Sequence, residues 1–195
     1  MRFSQVALGI VVATATFASQ AMAQQFDEGS RPGLFGIFDE ARFGTVYPVQ
    51  PADDSGVILS GQLYFRNFVP PYRNYWANAL FRPRVHVGGN LATGSDPINQ
   101  AYVGLTWDFP VLDRYFVEAS LGGTIHDGPL ESAGKGLDLG CPWLFRESLA
   151  IGANVTQHWR IVASADHSSH AHLCEDGHAG NSGITHAGVY VGYRF

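Results

Sequence analysis

Residues 183–195 read GITHAGVYVGYRF, and in them Ala187, Val189, Val191, Tyr193 and Phe195 alternate with His186, Tyr190 and Arg194. Successive side chains of a strand point to opposite faces, so this segment carries one apolar and one polar face. It closes on an aromatic, as the last strand of an outer-membrane barrel would. Just upstream, His167 and Ser169 share one parity on another alternating stretch. Imidazole beside hydroxyl on a face that meets lipid suggests chemistry on a lipid.

The same alternation recurs along the chain. Eight strands are expected, near 39–49, 57–66, 80–91, 99–109, 114–126, 143–155, 158–169 and 183–195. In the second, Val57, Leu59, Leu63 and Phe65 oppose Ser60, Gln62 and Arg66. In the third, Phe81, Val85, Val87 and Leu91 oppose Arg82, Arg84, His86 and Asn90. In the fifth, Tyr115, Val117, Leu121 and Ile125 oppose Glu118, Ser120, Thr124 and His126. A soluble barrel would turn the apolar face inward, and a membrane barrel turns it to lipid. Aromatics near strand ends (Tyr47, Phe65, Phe81, Trp107, Phe109, Tyr115, Trp143, Phe145, Trp159) match the girdles at bilayer interfaces. The expected fold is therefore all-β, an eight-stranded antiparallel transmembrane barrel of the outer-membrane type. Closure leaves no sheet edge unpaired in lipid. A barrel this small is filled by side chains and is not a pore. Inward Glu40, Glu118 and Asp166 are expected to pair with Arg42, Arg82, Arg84, Arg146, Arg160 and Arg194.

The start of the chain agrees with export. Residues 1–23 carry an early Arg2, an apolar stretch from Val6 to Phe17 and an Ala21-Met22-Ala23 cleavage site, the pattern of a secretory signal peptide. Residues 24–38 read as a Gly-rich lead segment and 39–195 as the barrel. Loss of Arg2 takes the formal net charge from −5 to −6, which leaves no basic surface for nucleic acid. No phosphate loop, repeat or nucleotide motif occurs, and no cofactor is expected.

With both ends of the barrel in the periplasm, the turns near 68–79, 110–113 and 156–158 lie inside. The loops near 50–56, 92–98, 127–142 and 170–182 lie outside. Cys141 and Cys174 fall in outer loops that flank the same two strands. In an oxidising compartment they are expected to form one disulfide that clamps the third outer loop to the fourth. The alternative is that one thiol acts as a nucleophile. His167, His170, His172, His178 and His186 crowd the last loop with Glu175 and Asp176, so a zinc-binding loop is a reading from another class. The spacing matches no standard site, and no metal ligand set is assigned. A structural or adhesion barrel without enzymatic activity is a third reading.

The segment Asp166-His167-Ser168-Ser169-His170-Ala171, followed by Asn181-Ser182-Gly183-Ile184 and the closing strand, resembles the signature of PagL-type lipid A deacylases, a grouping often called acyloxyacyl hydrolase-like. That signature runs His-x-Ser-Asn-Ala, a short loop, then Asn-x-Gly-hydrophobic-Glu. Gly140-Cys141, Leu144 to Ser148, and Leu173-Cys174 resemble the family's disulfide-bearing branch. The specific match covers the residues from 140 onward. The resemblance implies an outer-membrane enzyme that cleaves an ester-linked acyl chain of lipid A in lipopolysaccharide. It makes Ser169 the nucleophile and His167 its general base, the usual logic of an activated hydroxyl. A homodimer is left open.

Two positions depart from the family pattern. The family's orienting glutamate maps to Thr185, which has no carboxylate, and its oxyanion asparagine maps to His170. A triad without its acid is slower. Glu147 offers a replacement. If Thr156, Gln157 and His158 form a three-residue turn, Val155 pairs with Trp159 and Glu147 falls opposite His167. Such cross-strand neighbours have Cβ atoms about 5 Å apart. The competing reading is a bulge that turns Glu147 inward. His170 could donate to an oxyanion through its imidazole.

Overall fold

The computed structural model describes residues 33–50, 55–131, 137–174 and 182–195. The segments expected to be a signal peptide (residues 1–23) and a lead (24–38) lie wholly and mostly outside the described residues, as do Glu175, Asp176 and His178. Strands β1 (Phe38–Pro48), β2 (Ile58–Phe65), β3 (Arg84–Ala92), β4 (Gln100–Pro110), β5 (Tyr115–His126), β6 (Trp143–Asn154), β7 (Trp159–Ser169) and β8 (Ile184–Arg194) form the wall. They pair antiparallel in sequence order, and β8 closes on β1 into a barrel.

Parity governs every strand. Even positions such as Arg42, Gln62, His86, Tyr102, Glu118, Arg146, Arg160 and Tyr190 are buried inside. Odd positions such as Phe43, Leu91, Leu121, Leu149, Ile161 and Val191 are exposed on the outer wall. An apolar outside around a polar inside is stable only where hydrocarbon replaces water outside.

The interior is filled at two levels. Near one end Arg42 donates through both terminal nitrogens to Glu118, at 2.6 Å each, and through Nε to Glu40. Arg84 and Arg160 reach Glu40 Oε2 at 2.7 and 2.9 Å. The Arg42 and Arg84 guanidinium groups also lie over the Tyr64 ring. Nearer the other end Arg146 pairs with Asp166 at 3.2 Å and lies over Tyr102. Above these, Ile98, Leu137, Leu139, Leu144 and Ile184 form an apolar cap against the Cys141–Cys174 disulfide. That bond joins the two loops as expected, with Cα atoms 5.9 Å apart.

One boundary differs from the sequence expectation. The third strand was expected from residue 80, but Tyr75–Phe81 is a helix, α1, and β3 begins at Arg84. Asn74 caps it by accepting from the Ala77 N–H at 3.0 Å. Pro83 stops it, because the residue before a proline is forced out of the helical region. Arg82 consequently does not join the interior network. Its Nε donates to the Val69 carbonyl at 2.7 Å outside the barrel.

Candidate active site

His167 and Ser169 lie on the outward face of β7, at the end of the barrel that carries the β5–β6 and β7–β8 connections. The barrel register places Glu147 of β6 and Thr185 of β8 on either side of His167. Val155 N–H bonds to the Trp159 carbonyl at 2.8 Å, so the turn has the expected form and Glu147 is not bulged inward. In the next row outward Phe145 pairs with Ser169. Phe145 and Trp143 stack edge to face at 5.6 Å, which marks the interfacial belt at this height.

His167 is held from two sides. Its Nδ1 is 2.9 Å from Thr185 Oγ1. Its ring also lies over Gly183, where an added Cβ would come within 2.8 Å of Cε1 and 3.3 Å of Nε2. Gly183 adopts φ +64°, a left-handed conformation that disfavours side chains anyway. Only glycine meets both demands, which accounts for its place in the motif. With the proton on Nδ1 and Thr185 Oγ accepting it, Nε2 keeps its lone pair. That nitrogen is on the edge of the ring next to Gly183, toward the end of β7 that carries Ser169.

Thr185 therefore occupies the position where the resemblance places a carboxylate, and it reaches the same ring nitrogen. A neutral hydroxyl fixes the tautomer and the ring orientation. It does not balance the charge of an imidazolium. Glu147 is the one carboxylate that β6, β7 and β8 direct to this face, since Asp166 is buried inside. Its side chain is exposed and makes no hydrogen bond or ion pair among the described residues. Glu147 and His167 are thus brought opposite each other without a direct bond. Ser169 is half-buried and likewise makes no hydrogen bond to His167 in this state.

His170 sits otherwise than a solvated loop residue would. Its side chain is fully buried, and its even parity puts it on the opposite face of the strand from Ser169. Ala171 and His172 follow with φ of 48° and 62°, which turns the chain sharply, and the His170 and His172 rings lie 6.2 Å apart. Among the described residues no group of three histidine, cysteine, aspartate or glutamate side chains could hold a metal ion.

Gln50 belongs to the site and carried no sequence signal. Its Oε1 accepts from the Thr185 N–H at 2.8 Å and its Nε2 donates to the Ser182 carbonyl at 2.9 Å. It thereby grips both ends of the segment that supports His167. From the other side, Ser182 exchanges two hydrogen bonds with the Asp138 backbone, at 2.9 and 3.1 Å. The disulfide holds that second loop in turn.

No curated protein matches the chain. Among solved structures it is similar to the crystal structure of the outer membrane enzyme PagL, at 16% identity and a TM-score of 0.59, covering 80% of this chain and 99% of that one. It is also similar to the N-terminal β-barrel domain of Pseudomonas aeruginosa OprF, at 10% identity and a TM-score of 0.49, covering 82% and 99%. The family model of PagL, lipid A 3-O-deacylase, matches residues 69–194, which include β6, β7 and β8. The chain accordingly belongs to the PagL family of lipid A 3-O-deacylases, outer-membrane ester hydrolases.

Proposed function

We propose that this protein removes the 3-O-linked acyl chain of lipid A through Ser169 as nucleophile and His167 as general base. The observation that carries the reading is the His167 ring, fixed at Nδ1 by Thr185 on the lipid face, two residues from the Ser169 hydroxyl. Ser169 Oγ attacks the ester carbonyl and its proton passes to His167 Nε2. The tetrahedral intermediate collapses, and the sugar hydroxyl leaves with that proton. Water, deprotonated by the same nitrogen, then releases the fatty acid from Ser169. Thr185 is a positioning residue. Glu147, opposite His167 on the strand pair, supplies negative charge beside the transient imidazolium. In a medium of low dielectric such a charge acts across more than a hydrogen-bond length. His170 has no step in this scheme and holds the turn after β7.

Mass spectra of lipid A from cells making the wild type or Ser169→Ala test the reading. Loss of one acyl mass with the wild type alone is expected. Identical spectra from two folded, inserted barrels would leave a silent barrel instead.

The threonine makes a graded prediction. Thr185→Val removes the hydrogen bond to His167 Nδ1 and should slow acyl release about tenfold, the worth of one hydrogen bond. Thr185→Glu supplies a charged acceptor and should raise the rate by about tenfold or more. Purified enzyme on lipid A in mixed micelles measures both. Equal rates for all three would remove Thr185 from the mechanism.

A further inference from the structure

At the end of the barrel away from the site, the connections 111–114 and 155–158 are short, as periplasmic turns are. The third connection, 66–83, is long and contains α1. It is well ordered. Asn67 Nδ2 donates to the Arg82 carbonyl at 3.1 Å, and the Tyr72 N–H donates to Asn78 Oδ1 at 3.2 Å. Trp107 Nε1 donates to the Leu80 carbonyl at 2.9 Å and ties the helix to β4.

The segment nonetheless turns its apolar groups outward. Phe68, Trp76 and Phe81 are 70%, 67% and 69% exposed, and Val69, Tyr72 and Leu80 are exposed beside them. Trp76 and Leu80 are one helical turn apart, on one face of α1. This surface runs on into the outer wall through Val85 and Leu105, which are themselves exposed there. Water would not tolerate an apolar patch of that extent. The charge is also one-sided. Residues 66–84 contain Arg66, Arg73, Arg82 and Arg84 and no acidic residue. Arg84 turns into the barrel toward Glu40, and Arg82 is held by the Val69 carbonyl. Arg73 is exposed between Tyr72 and Trp76 and makes no hydrogen bond or ion pair among the described residues.

We propose that residues 66–81 form a docking surface for anionic glycerophospholipids of the inner leaflet. Trp76, Phe68 and Phe81 enter the boundary between headgroups and acyl chains, and Arg73 meets the phosphate. Aromatic side chains favour that depth, and a basic group beside it selects anionic lipid. The surface is independent of the deacylation chemistry.

The test uses the full chain in vesicles of phosphatidylcholine and phosphatidylglycerol, with bromine on the acyl chains of one lipid or the other. Subtracting the emission of Trp76→Phe isolates Trp76. Both brominated lipids should quench it, and brominated phosphatidylglycerol should do so about twofold more strongly, as a basic side chain at the surface would cause. Arg73→Glu should abolish or reverse that preference while leaving the barrel folded, as judged by heat-modifiable mobility. Should that variant not fold, Arg73→Gln serves, with the preference lost. Trp76 emission insensitive to both lipids would overturn the membrane surface. Equal quenching by the two lipids in the wild type would overturn the anionic preference.

Discussion

Alanine at His167 is expected to lower the rate of acyl release by about three orders of magnitude, and Ser169→Ala added to it should lower the rate no further. The Ser169 hydroxyl is a weak nucleophile until a base takes its proton. In the proposed mechanism His167 is that base, and its ring is fixed at Nδ1 by Thr185 and against the bare backbone of Gly183. A nucleophile and a base that act as one unit lose their function once, whichever is removed first. Single and double variants assayed on lipid A in micelles, at matched amounts of folded barrel, give the cycle. Losses that multiply would mean that the two residues act separately, and the proposed mechanism would fail. Ser168→Ala is the internal control. Ser168 is adjacent in sequence but fully buried on the inner face, so its loss should leave the rate near that of the wild type.

The second large effect concerns stability. Glu118 accepts two hydrogen bonds from Arg42 at 2.6 Å and lies 3.2 and 3.4 Å from Arg84 and Arg160. All four side chains are buried. Glu118→Ala leaves three cations around Glu40 with Asp108 as the nearest further acid, at 3.5 Å from two of them. Removing one partner of a buried ionic group typically costs about 3–5 kcal/mol, because the uncompensated charge remains inside. The urea midpoint of the refolded barrel in detergent should fall by about 1–2 M. Glu118→Gln keeps the shape without the charge and should fall nearly as far. An unchanged midpoint in both variants would show that water or the surviving carboxylates satisfy the arginines.

Much of this arrangement could be read from the residues, because one rule of period two ties sequence to both faces of a strand. Alternation assigned Glu118, Asp166 and Arg146 to the interior and Leu121, His167 and Ser169 to the wall, and the structure places each of them so. A turn length fixed the Glu147–His167 pairing, since register propagates unchanged along an antiparallel ladder. The expectation failed where local chemistry imitates a strand. Phe81, Pro83 and Val85 continue the apolar parity, yet the Asn74 cap makes residues 75–81 a helix. Long-range contacts were not legible either. Gln50 meets Thr185 only because β1 and β8 close the barrel, and nothing in residues 48–52 announces that meeting. At Thr185 the sequence alone shows the loss of an acid. What sequence could not convey is that its hydroxyl reaches the same ring nitrogen.

The odd face of β7 has a consequence for kinetics. The proposed site on the outer wall opens sideways into the leaflet, so under that mechanism enzyme and lipid A meet by lateral diffusion in a plane. The quantity that sets the rate is then the mole fraction of substrate within the leaflet. Diluting lipid A with inert amphiphile should slow the enzyme even at constant bulk concentration. The freed fatty acid, still in hydrocarbon, competes for the same stretch of wall until it diffuses away.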